Sequence, residues 1–107
     1  MKPSQYIYEA AKVIERGWTQ GAPARNIHNL PTSALNGEAC SWCAIGALRK
    51  VSDTRLHDKV AAVLGLPLTP IGALHPLAEF NDARGRTKEE VITKLCEAAS
   101  LLEARGE

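Results

Sequence analysis

The chain has 107 residues, enough for one domain and too few for two. Hydrophobic residues make up 45 % and charged residues 23 %, the balance of a folded globular protein, which excludes a disordered chain. Thirteen Lys and Arg against twelve Asp and Glu leave a net charge of +1, too weak a field to steer the chain to nucleic acid or an anionic membrane.

Only five residues are aromatic, so Leu, Ile, Val and Ala must do most of the packing. The opening MKPSQYIYEAAKVIERG has no apolar run resembling a signal peptide, and no segment approaches membrane-spanning length. Three cysteines, two of them three residues apart, do not make a secreted disulfide framework. A cytoplasmic protein without membrane contact is expected.

Ser4 is placed to cap a first helix, in which Ile7, Ala10, Ala11 and Ile14 follow i, i+3, i+4, i+7 spacing. Gly17 suits the left-handed position that ends such a helix. Trp18 to Gly37 is rich in Gly, Pro and Asn, all turn formers. A loop of that length in a compact domain is uncommon unless it is functional. Two readings are open: a short hairpin around Ile27 to Leu30, or an ordered flap pinned by Trp18, Ile27, Leu30 and Leu35. The flap is preferred.

Gly37 to Val51, GEACSWCAIGALRKV, reads as a central helix that is apolar almost all round. It puts Cys40, Ala44, Ala47, Leu48 and Val51 on one stripe and Trp42 with Cys43 in its first turn. The small residues Ala44, Gly46 and Ala47 predict a second helix crossing closely there. Asp53 is placed to cap a third helix carrying Leu56, Val60, Val63 and Leu64, with Gly65 as its stop. Thr69 and Pro70 open a short helix over Ile71 to Phe80, which Pro76 kinks or splits. Asn81 to Arg86 is a polar connector. Thr87 and Glu90 form the capping box of the last helix, with Val91, Ile92, Leu95, Ala98, Ala99 and Leu102 on its apolar face. No stretch alternates with period two. The fold class expected is all-α: one compact domain, residues 1–107, of four or five helices with a long ordered loop between the first and second.

Several constellations could carry chemistry. Cys40-Ser-Trp-Cys43 has the C-x-x-C spacing that lowers a thiol pKa in thioredoxin-like proteins, but no βαβ setting surrounds it, and core packing explains both thiols. A zinc finger would need a histidine three to five residues after His57, and none is there; His75 could join only through the tertiary fold. No metal and no cofactor are expected. Gln20, Cys43, His75 and Asn81 follow the order of residue types in papain-like hydrolases, where glutamine binds an oxyanion, histidine activates the thiol and asparagine orients the histidine. Those enzymes carry the histidine on a sheet, whereas His75 precedes a proline in a helical segment. His28 and His57 read as solvated. Trp18 and Trp42 could wall a pocket, or simply hold the flap on the core.

Trp18-x-Gln20-Gly21, Trp42-Cys43-Ala-Ile-Gly46-Ala47-Leu48, and Phe80-Asn81-Asp82-x-x-Gly85-Arg86-Thr87 with Glu90-Val91 together resemble a family of small bacterial and phage proteins, a domain of unknown function. The resemblance spans residues 7 to 102. It implies no established activity, but it groups Trp18, Gln20, Trp42, Cys43, Asn81, Asp82 and Arg86 into one polar and aromatic signature.

The functional expectation is a non-catalytic binding protein, of a phage accessory type. It would take a host protein or a small anionic or nucleotide ligand at Trp18, Gln20, Trp42, Cys43, Asn81, Asp82, Arg84 and Arg86. The alternative is a cysteine-dependent hydrolase using Cys43 with His75 and Gln20. A third reading is a homodimeric interaction module joined through the last helix.

Overall fold

A computed structural model describes residues 1–52, 55–67 and 74–107. Five helices occur among them: α1 (Pro3–Arg16), α2 (Ala44–Val51), α3 (Leu56–Leu64), α4 (Pro76–Asp82) and α5 (Lys88–Ala104). The core is where their apolar stripes meet. Ile7, Ala10, Ala11 and Ile14 of α1 pack with Ala44, Ala47 and Leu48 of α2, Leu56 and Val60 of α3, Leu77 of α4, and Val91, Leu95, Ala98, Ala99 and Leu102 of α5. The longest helices, α1 and α5, lie against each other, and α2 touches α1, α3 and α4. None of the described helices is long and apolar enough to cross a membrane.

The protein is not purely all-α. A three-stranded antiparallel sheet of order β2-β1-β3 is built from β1 (Ala24–Arg25), β2 (Pro31–Thr32) and β3 (Ser41–Trp42). Ala24 pairs with Thr32 on one side and Trp42 on the other. Strands of two residues are too short to show alternation, so the segment read as a flap leaves no period to detect. The hairpin turn spans Asn26 to Leu30, where the Asn26 side chain accepts the His28 and Leu30 N–H groups. Ile27, Leu30 and Leu35 point outward, Ile27 being 84 % exposed, so they do not pin this segment. Buried Ala24 and Ala34 do, packing into the core.

The central helix is shorter than its hydrophobicity predicts. Gly37–Cys43 is turn and strand, and α2 starts at Ala44 with Cys43 as its N-cap. Cys40 is consequently exposed rather than on a buried stripe, and Trp42 lies buried in β3. Helix α1 packs on α2 at Ala44 and Ala47, but among the described residues no helix meets Gly46. The backbone of Pro23 does, and a Cβ on Gly46 would sit 1.9 Å from the Pro23 carbonyl oxygen. Gly17 has extended backbone, φ 177°, so no left-handed turn calls for it. Its Cβ would instead meet the Cys40 oxygen at 2.1 Å.

Lys2, not Ser4, is the N-cap of α1, and Ser4 is buried inside the first turn. Gly65 ends α3 in the left-handed conformation, φ 64°. The expected caps at Asp53 and Thr69, and Ile71, fall outside the described residues. Pro76 does not interrupt a helix; it occupies the first turn of α4, where its missing N–H costs nothing. That helix runs on to Asp82, so Asn81 and Asp82 are helical. The Thr87–Glu90 capping box of α5 is present on both sides.

Candidate functional site

Of the signature residues, Trp18, Gln20, Asn81 and Asp82 meet at the C-terminal end of α4. Asn81 is fully buried, and every hydrogen-bonding capacity of its side chain is used. Its Oδ1 accepts from Trp18 Nε1 and from the Ala44 backbone N–H, each at 2.9 Å. Its Nδ2 donates to the Thr19 carbonyl at 3.1 Å and to Asp82 Oδ1 at 2.8 Å. One amide thus caps α2 from another helix and holds the chain that follows α1.

The neighbours extend this latch. Gln20 Nε2 donates to the carbonyls of Asn81 and Ala83 at 3.0 and 3.1 Å. Asp82 Oδ1 also accepts the Gly21 N–H at 3.1 Å. Arg86 donates to the Phe80 carbonyl, stacks on the Phe80 ring at 3.7 Å and pairs with Glu90. Trp42 donates to the Ala34 carbonyl at 3.2 Å, with Arg16 and Lys50 each 5.3 Å from its ring. Arg25, which carried no signal in the sequence, reaches Thr19 Oγ1 and the carbonyls of Gln20 and Asn29. The polar groups of Trp18, Gln20, Asn81 and Arg86 are thus bonded within the chain. Arg84 is exposed and makes no ion pair among the described residues.

Beside the latch is a cleft of about 290 Å³. Ala22, Pro23, Ile45, Leu74 and Ala78 form its apolar walls, and Cys43, Arg49, His75 and Asp82 bring polar atoms to it. Cys43 and Asp82 are the two expected binding residues that reach it. Arg49 and the walls were missed, because Arg49 reads as a solvated helix position and the walls come from three separate segments. Arg49 is exposed and without an ion pair among the described residues, whereas Asp82 Oδ1 takes two internal hydrogen bonds and no donor there reaches its Oδ2.

Cys43 and His75 both line this cleft. Burial pushes the Cys43 thiol pKa up, which disfavours the thiolate, and its sulfur accepts the Gly46 N–H at 3.3 Å as the cap of α2. His75 uses both ring nitrogens: Nδ1 accepts from the Leu77 N–H at 3.1 Å, and Nε2 lies 2.9 Å from Asp58 Oδ1. Gln20 is committed to the α4 carbonyls.

His57 is not solvated as expected. Its side chain is 12 % exposed, and its ring stands edge-on to that of His75 with centroids 5.0 Å apart. Burial lowers its pKa, against the opposing pull of Asp58.

Among the described residues, five helices pack with a three-stranded sheet, and a buried asparagine joins helix ends beside an amphipathic cleft. The chain belongs to DUF6197, a family of unknown function, which it matches over residues 1–101. No curated protein and no solved structure matches it.

Proposed function

We propose that this protein is a non-catalytic binding module whose ligand site is the cleft between Ala22-Pro23, the start of α2 and α4. The observation that carries this reading is an apolar cavity of small-molecule size lined both by Arg49, which has no ion pair among the described residues, and by Asp82, whose Oδ2 no donor among them reaches. Such a cleft suits a small organic anion: its acid group faces Arg49, its apolar body lies on Pro23 and Ile45, and a hydroxyl or amine donates to Asp82. Binding is favoured over thiol catalysis because the Cys43 thiol caps a helix and the His75 nitrogens are already engaged. The signature of Trp18, Gln20, Asn81 and Arg86 then acts by holding the cleft walls in place.

The test is a heteronuclear NMR titration with a panel of hydroxy and amino carboxylates and nucleoside monophosphates. Saturable shifts centred on Gly21, Ala22, Ile45, Arg49 and Ala78, abolished by Arg49→Glu, are the expected result. Silence across the panel, or shifts that survive Arg49→Glu, would refute the assignment.

A further inference from the structure

Three ligating side chains converge from two elements outside the latch. His57 and Asp58 lie in the first turn of α3, and His75 immediately precedes α4. Each offers one ligand atom, and these atoms lie within 4.8 Å of one another. Asp58 Oδ1 is 2.9 Å from His75 Nε2 and 3.9 Å from His57 Nε2. Around a tetrahedral ion with ligands at about 2.1 Å, neighbouring ligand atoms stand roughly 3.4 Å apart, between those two separations. The His57 and His75 nitrogens, within 4.8 Å of each other, would close toward the same spacing.

We propose that His57, Asp58 and His75 form a binding site for a divalent transition ion of the zinc type, with water completing its coordination. This goes beyond the cleft reading and does not depend on it. Two imidazoles and one carboxylate suit zinc, cobalt or nickel, whereas calcium and magnesium prefer all-oxygen sets. Arg55 Nε holds the other carboxylate oxygen, Asp58 Oδ2, at 2.9 Å, which aims Oδ1 toward the two rings.

An independent observation comes from His57. Its Nδ1 is shut off from solvent, and among the described residues no hydrogen bond reaches either its Nδ1 or its Nε2. Buried polar atoms are normally partnered, and Nε2, the nitrogen nearer Asp58, is not committed to another partner among those residues.

The site has a built-in competitor. His75 Nδ1 accepts from the Leu77 N–H, so the proton of the neutral ring sits on Nε2, facing Asp58. An ion at Nε2 needs that lone pair. The proton must move to Nδ1, no proton is lost overall, and the Leu77 N–H loses its acceptor. Metal capture thus releases the cap of α4.

The experiment titrates the chelator-stripped full chain with cobalt(II), read by visible absorption, and with zinc(II), read by calorimetry and by the Leu77 amide resonance. One ion per chain is expected, with a nitrogen and oxygen cobalt spectrum, no thiolate charge-transfer band and a displaced Leu77 amide. His57→Ala and His75→Asn should each weaken binding by at least about tenfold, a ligand-shell effect of the usual size, while Cys40→Ser changes nothing. Asn at position 75 still offers an acceptor that can cap α4, and circular dichroism verifies that each variant is folded. No saturation up to about 1 mM, unchanged affinity in folded histidine variants, or a thiolate band would overturn the proposal.

Discussion

Replacing Asn81 by Ala tests the latch most directly. The substitution deletes four side-chain hydrogen bonds and strands the Ala44 N–H, on a fully buried residue, and the indole N–H of half-buried Trp18. Each bond is worth about 1 kcal/mol net, and an abandoned buried donor costs about 1–3 kcal/mol. We expect a loss of roughly 3–5 kcal/mol, a large part of the roughly 5–15 kcal/mol that holds a domain of this size together. At roughly 4–8 °C per kcal/mol, the melting temperature should fall by roughly 12–40 °C. Urea unfolding followed by tryptophan fluorescence suits the measurement, because Trp18 bonds Asn81 directly. The same-shaped Asn81→Asp adds a signature. It replaces the Nδ2 donor with an oxygen facing Asp82, in a site where burial and that neighbour raise a carboxyl pKa. An acid with a raised folded-state pKa loses stability as pH climbs through its unfolded value of about 3.9, so the deficit against the wild type should widen from pH 3.5 to pH 6. A loss below about 1 kcal/mol for Asn81→Ala would refute the latch as the anchor of this fold.

Gly46→Ala should lower the melting temperature although alanine is the better helix former by about 1 kcal/mol, because its Cβ would press on the Pro23 oxygen; a rise in circular-dichroism melting would contradict that contact. Alkylation by iodoacetamide at pH 7.5, read by peptide mass spectrometry, should label exposed Cys40 first and spare buried Cys43, whose thiol pKa is raised by burial, until the chain unfolds. In the metal-free protein, burial lowers the His57 pKa, so the unfolded chain binds more protons below its value of about 6.5. Stability should therefore fall between pH 7.5 and pH 5.5, and His57→Asn should flatten that decline in urea midpoints. Asp58, whose pKa is lowered chiefly by its hydrogen bond with His75, acts at lower pH, where its contribution is lost as the carboxylate protonates.

What the chain determined locally is what needs only neighbours in sequence. The stripes of α1, α3 and α5, the Thr87–Glu90 box and the left-handed Gly65 stop follow from helical spacing and cap chemistry, so they are legible without a fold. The family resemblance grouped Trp18, Gln20, Trp42, Cys43, Asn81, Asp82 and Arg86, and of that set Trp18, Gln20, Asn81 and Asp82 are hydrogen-bonded to one another's segments. The geometry of those bonds was not legible, because Trp18 and Asn81 are 63 positions apart.

Only the tertiary structure decided where apolar residues became strand rather than helix. Ser41 and Trp42 extend because β1 offers them a partner across the sheet, an interaction that overrides local helix preference and cannot be seen in a two-residue strand. The same holds for the glycines: Gly17 and Gly46 answer to the carbonyls of Cys40 and Pro23, not to their own turns. The cleft and the His57–Asp58–His75 cluster arise where separate segments converge, so spacing along the chain carries no trace of them. Sequence periodicity records which face of a helix is buried. What that face meets is settled by three-dimensional packing, and both candidate sites of this protein lie at such meetings.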